Sequence, residues 1–297
     1  AVAAGARLRG LNAADTSRAL RLGATLILTP SYTNAVAGAT VLNVAGGMSG
    51  LAGSLAPELA LAGFAAQDNA IEEAFDQLVG DRFQPDNILD ELGQRWEISR
   101  NYFRLRACCN PIYAALDALE EVLADLRPAP ETIAWIDVAT YRFASVMREP
   151  EPTSTFAARY SLPHAAAAIA MGHKADYNAF TEAVVHDPAI AALRRRVRIT
   201  EEPQLTAMVP RYKPARVTVT LKDGRQSTRT CNSARGDFQH PYQEAEMRQK
   251  FRQLAALVLT HEGVAVVEDA LNQCEHWSHV GHLADLTRVH SLPEIVI

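Results

Sequence analysis

Between Ala114 and Leu126 the apolar residues Leu116, Leu119, Val122, Leu123 and Leu126 recur every three or four positions, with Glu120, Glu121 and Asp125 on the opposite side. That period predicts an amphipathic helix, and its acid side reads as a solvated face rather than catalytic carboxylates. Upstream, residues 1–24 read as two helices broken at Gly10-Leu11-Asn12, with Asn12 as N-cap and Asp15 in the first turn. Residues 26–40 are apolar but punctuated by Pro30, Ser31, Asn34 and Gly38, which predicts a loop or broken helix. Residues 44–64 are rich in Gly and Ala, a composition that suits a buried helix closely approached by its neighbours. Two short helices are expected over 69–79 and 86–93, with Gly80-Asp81 as the turn between them.

The pattern changes after Arg127-Pro128-Ala129-Pro130. Proline stops a helix and restricts the residue before it, so a domain boundary is placed there. Residues 132–144, rich in Ile, Val, Thr and Tyr, read as a strand, followed by helices over 162–171 and 177–185 and a short strand over 197–200. Ala215–Leu221 and Gln226–Thr230 flank Lys222-Asp223-Gly224. Asp-Gly between two alternating β-branched runs is a strong hairpin signal. From Tyr242 a helical period returns, with Met247, Phe251, Leu254, Leu257 and Val258 on one face.

The expected fold is therefore α+β: a mainly helical domain from both chain ends (1–126 and 239–297) with a smaller α+β lid inserted over 127–238. A cleft between two such domains is a common place for a small-molecule pocket.

Composition narrows the function. The 297 residues carry a net charge of −5, and the only basic run is Arg194-Arg195-Arg196, so nucleic acid is not an expected partner. Four cysteines, two of them adjacent, do not form a disulfide framework and suit a reducing compartment. The N-terminus has no charged region followed by an apolar core, and no uninterrupted apolar stretch reaches the ~20 residues of a membrane span. The glycines over 44–64 lack the phosphate-loop pattern and a preceding strand, which excludes a nucleotide cradle.

The chemistry concentrates in Ser99–Leu119, SRNYFRLRACCNPIYAALDAL. Asn110-Pro111 fits a helix start, with Asn as N-cap and Pro in the first turn. Arg104, Arg106, Cys108 and Cys109 then lie just ahead of a helix N-terminus, where anions are favoured and a carboxylate ligand is plausible. The alternative is a loop with solvated arginines and two packed cysteines.

This stretch also resembles the Lys-x-x-x-Cys-Cys-x-x-x-His segment of the MmgE/PrpD family, which includes 2-methylcitrate dehydratase, cis-aconitate decarboxylase and iminodisuccinate epimerase. Further matches fall in the family's order: GATVLNVAGGMSG (38–50), YSLPHAAAAIAMG (160–172), HDP (186–188), PARVTVTLKDGR (214–225) and RGDFQHPYQEAEMRQKF (235–251). The resemblance implies a cofactor-free lyase or isomerase acting on a small di- or tricarboxylate, cytosolic and homodimeric or part of a larger assembly. Arg104 stands at the family's lysine, Cys109 at its second cysteine and Tyr113 at its histidine. Arg104 can bind a carboxylate bidentately but stays protonated and cannot be a base. Tyr113 can donate a proton but is a poor base near neutral pH.

Leu42 stands where related sequences often carry a cation. Family members are considerably longer at the N-terminus, and their acidic Asp/Thr/His segment lies ahead of Ala1. The alternatives are thus a truncated or divergent non-catalytic member, or one subunit of a split enzyme whose second chain supplies that segment.

His164, in SLPH at the head of an apolar helix, is a candidate base or a buried structural histidine. Arg106, Cys109 and Tyr160 are candidate substrate contacts, with Arg159 beside Tyr160. Lys213 and Arg211 are candidates for the cleft wall or plain surface charge. His276, His279 and His282 stand three apart without Asp or Cys at zinc spacing, so no metal site is assigned. Arg235-Gly236-Asp237 reads as the turn back to the helical domain and a candidate hinge.

Overall fold

The computed structural model describes residues 1–26, 30–80 and 82–293. Residues 27–29 of the expected loop and Asp81 of the expected Gly80-Asp81 turn lie outside them. The chain forms two compact units, one of residues 1–101 and 106–234, the other of 102–105 and 235–297.

The first unit contains the sheet. Strands β1 (Ile133–Thr140), β2 (Val197–Glu201), β3 (Ala215–Leu221) and β4 (Gln226–Cys231) are ordered β2-β1-β3-β4, with β1 and β2 parallel and the other pairs antiparallel. The hairpin lies where Asp-Gly places it, with Gly224 at φ +90°, a backbone that glycine adopts without steric cost. Alternation sets the inner face. Ile133, Ile136 and Val138 of β1 and Val217, Val219 and Leu221 of β3 are buried.

The longer helices ahead of the sheet are α1 (Val2–Leu8), α2 (Ala13–Thr25), α3 (Val44–Leu61) and α4 (Tyr113–Leu126). Helix α4 packs on β3 and β4, and its Leu116, Leu119 and Val122 share one hydrophobic cluster with the inner sheet face. The boundary expected at 127–130 therefore falls within a continuous core. Arg127 ends α4 in a left-handed conformation at φ +43° and the prolines turn the chain into β1. Helices α5 (Leu162–Ala170) and α6 (Pro188–Arg194) pack together, and α5 is buried along its whole length.

Helices α1, α2 and α3 pack on one another. Asn12 caps α2 as its sequence predicts, its Oδ1 accepting from the Asp15 amide at 2.9 Å. A side chain at Gly5 would collide with the Gly53 carbonyl, so these two glycines set the close approach of α1 and α3. The burial expected of α3 is otherwise not found. Only Gly53, Ala56, Pro57 and Ala60 are buried, while Val44, Leu51, Leu55 and Leu61 are exposed. Small residues here make a narrow contact on one side only.

In the second unit, α7 (Glu244–Ala255), α8 (His261–Leu271) and α9 (Gly281–Val289) enclose a small core of Ala255, Leu259, Val264 and Val267. A capping box between Gln243 and Glu246 starts α7. Of the face expected on α7 and the turn after it, Phe251 and Val258 pack on that core, whereas Leu254 and Leu257 are exposed. The Phe103 amide donates to the Gly236 carbonyl at 2.8 Å, which ties 102–105 to the 235–297 segment.

Candidate functional site

The residues expected in one site are distributed differently. Arg104 belongs to the second unit, where it donates to the Tyr102 hydroxyl at 2.7 Å and its backbone carbonyl accepts from Lys250. Arg106 belongs to the first. Its nearly buried guanidinium pairs with Asp117 and, at 2.8 Å, with Glu120. Burial lowers its proton affinity, but those two carboxylates more than reverse that and leave it raised. Arg106 holds α4 to the chain ahead of it, and Glu120 is a partner of that arginine as well as part of the exposed face.

Tyr113 is fully buried, and its hydroxyl donates to the carbonyls of Arg106 at 2.7 Å and Cys108 at 3.3 Å. That ties down the loop carrying the two cysteines. His164 is also fully buried, at 0% exposure. Ser161 caps α5, its Oγ accepting from the His164 amide at 3.0 Å. Nε2 of His164 donates to the Ala179 carbonyl at 2.7 Å, and Nδ1 accepts from Arg194 Nη1 at 3.2 Å. Burial chiefly, then the Arg194 and His173 charges, overcome the Ala179 hydrogen bond and push its pKa down to about 4. Both nitrogens are engaged, so the imidazole acts as a neutral spacer between α5 and α6.

The helix start also differs from its expected form. Residues 110–112 make a 3-10 turn ahead of α4, and the capping position is Cys109, without a side-chain cap. Asn110 Oδ1 instead accepts from Lys213 Nζ at 3.5 Å.

What does converge is the exposed side of Cys109-Asn110. The Tyr32 hydroxyl lies 2.6 Å from Cys109 Sγ, and the Cys109 amide donates to the Arg159 carbonyl at 2.9 Å. Tyr32 rests against Phe143 with centroids 4.9 Å apart and against Tyr160 at 6.0 Å. Tyr141, whose proton burial and then Cys109 make harder to remove, donates to the Pro111 carbonyl at 3.3 Å. A thiol, a phenol and an ammonium thus meet around two residues at the head of α4. An ammonium is the kind of group that can neutralise an anion, and a thiol and a phenol are groups that can exchange protons.

Cys109 and Tyr160 are therefore brought together, with Lys213 close by. Arg106, Tyr113 and His164 have their polar atoms engaged inside the first unit, and Arg104 belongs to the second. Tyr32 carried no sequence signal beyond being one aromatic in a punctuated loop; its partner is 77 positions away. Of the other motifs, HDP serves as a cap, Asp187 Oδ1 accepting from the amides of Ala189 and Ile190. Among the described residues no three His, Cys, Asp or Glu are placed to hold a metal ion, the 276–282 histidines included. No helix among them is long and apolar enough to cross a membrane.

Comparison with known proteins agrees with the ordered motifs from residue 107 onward, and the 38–50 motif lies outside the matched span. None of the curated proteins matches the chain. The family model described as the MmgE/PrpD C-terminal domain matches residues 107–274, a span that takes in α4, the whole sheet, α5 and α6. That family points to dehydratase or lyase-type chemistry on small carboxylates. With more than half of its length matched, the chain belongs to the MmgE/PrpD family.

Proposed function

We propose that this chain takes part in cofactor-independent lyase or isomerase chemistry on a small di- or tricarboxylate, by proton transfer next to a carboxylate. The carrying observation is the convergence of Tyr32, Cys109 and Lys213 at the start of α4. Lys213 neutralises a substrate carboxylate as charge builds on the adjacent carbon. The hydrogen-bonded Cys109–Tyr32 pair exchanges a proton with that carbon. Tyr160 packs behind Tyr32 and fixes its ring. Dehydration, decarboxylation and epimerisation share this first proton or charge displacement.

The test is α-deuterium uptake from heavy water into citrate-like and aspartate-like acids, followed by NMR. Uptake that falls at least about tenfold in Cys109→Ala and Tyr32→Phe supports the reading. No uptake into any of these acids refutes it.

A second reading, a divergent member that binds a carboxylate without turning it over, is favoured by His164 and Tyr113. Both are fully buried with their polar atoms engaged inside the chain. It predicts saturable carboxylate binding with no isotope exchange. A homodimer is proposed as the working form, supported by the exposed Val44, Leu51 and Leu55 at helical spacing on α3.

A further inference from the structure

Between residues 33–37 and 146–157 of the first unit lies an open cavity of about 630 Å³, walled in part by Thr33, Val36, Arg148, Glu149 and Glu151. That size suits a small organic ligand. None of Tyr32, Cys109 and Lys213 lines it, although Thr33, next to Tyr32, does.

One wall is a carboxylate held by two guanidinium groups. Glu151 Oε1 accepts from Arg195 Nε at 2.6 Å, and Oε2 lies 3.7 Å from Arg194 Nη2. Arg194 is only 4% exposed. Its Nη1 serves the Val185 carbonyl and His164, and its Nε has no hydrogen-bond partner. A buried guanidinium with a spare N–H is short of acceptors, and Glu151 at 3.7 Å does not fully supply them. Burial makes Arg194 a weaker base, an effect that Glu151 opposes and Arg195 reinforces.

The segment carrying Glu151 is tied to the head of α5, where the Leu162 amide donates to the Met147 carbonyl at 2.9 Å. The Ser161 hydroxyl at the head of α5 donates to the Glu149 carbonyl at 2.5 Å, and the Glu151 amide donates to Glu149 Oε1 at 2.8 Å. The Glu151 side chain is 48% exposed and that of Arg195 65%. An ion pair so open to water contributes little. A carboxylate supplied at high concentration in solution can therefore displace it, and Arg148 in the same wall offers a further cation.

We propose that this cavity binds a small dicarboxylate and that Glu151 occupies its carboxylate subsite when the cavity is empty, as a built-in competitor. Ligand binding displaces Glu151 from Arg194 and Arg195 and puts a carboxylate in its place.

The test is calorimetric titration of the full chain with succinate at pH 7.5, with folding checked by circular dichroism. Glu151→Gln removes the competing charge and is expected to bind succinate about twofold to fivefold more tightly than the unmodified protein, the worth of an exposed ion pair. Glu151→Asp keeps the charge but withdraws it by one methylene, and should lie between the two. Adding Arg195→Ala, an exposed position, to Glu151→Gln should abolish the gain. Equal binding by the unmodified protein and Glu151→Gln, binding by neither, or a gain that survives Arg195→Ala would overturn the proposal.

Discussion

His164 makes the stability of the first unit depend on pH in a calculable way. Its imidazole is fully buried, donates to the Ala179 carbonyl, accepts from Arg194 and packs at a tilt against Phe180, with His173 adding a further repulsive charge. The pKa falls from 6.5 to about 4 on folding. Because the folded value is depressed, the unfolded chain takes up the proton first as pH falls. Stability is complete above pH 6.5 and is lost progressively down to about pH 4. Each pH unit of difference is worth about 1.4 kcal/mol, so this residue alone removes about 3 kcal/mol across that window. Urea unfolding between pH 7.5 and 4, compared with His164→Gln, isolates the effect, because the carboxylates titrate alike in both proteins. The unmodified protein should lose about 3 kcal/mol more than the variant over that range, and the ring proton of His164 should titrate by NMR near pH 4. Parallel stability curves, or a ring titrating near 6.5, would refute the assignment.

Other outcomes follow from single contacts. Asp117→Asn leaves the nearly buried Arg106 with Glu120 as its remaining carboxylate partner among the contacts described; it should cost about 3 kcal/mol in urea unfolding. Gly38 sits at φ +80° with a Cβ position 2.7 Å from Ala157 Cβ. Gly38→Ala should therefore lower stability by about 1–3 kcal/mol, and an unchanged melting curve would contradict that geometry. Gly50, inside α3 with nothing within 4 Å of its Cβ position, is the opposite case. Gly50→Ala should stabilise by about 0.5–1 kcal/mol, read by the same melt. If α3 forms the proposed dimer contact, Leu51→Glu with Leu55→Glu should halve the mass seen by light scattering, whereas an unchanged mass would place the contact elsewhere.

The parts of this fold legible in the sequence are those decided by neighbours a few residues apart. Asn12 capping α2, the Asp-Gly hairpin, and the apolar period of α4 all rest on contacts within one turn or one ladder. Helix α3 is less buried than its composition predicts, because glycine and alanine allow close packing without saying how much of the helix is covered. Asn110 does not cap α4, and its side chain has a competing partner in Lys213, 103 positions away. Tyr32 with Cys109, and Glu151 with Arg194 and Arg195, are likewise long-range pairs, and no local pattern announces them.

That distinction bears on how the family motifs are read. In YSLPH, Ser161 caps α5 and holds Glu149, while His164 spans α5, the Ala179 carbonyl and Arg194. In RLRACCNPIY, Arg106 and Tyr113 fasten the chain to α4. Each of these residue types is accounted for by a buried polar group that needs a partner. Their presence therefore supports the fold of the MmgE/PrpD C-terminal domain and carries little information about turnover. Chemistry has to come from groups that solvent and substrate can reach. Around Cys109 those are a thiol, a phenol and an ammonium; around Glu151 they are its carboxylate and the Arg195 guanidinium, with Arg194 buried behind them. The first set can exchange a proton, and the second can recognise an acid. Isotope exchange lost on Cys109→Ala but kept on Glu151→Gln, with succinate affinity changed only in the latter, would show that the two functions are physically separate on this chain.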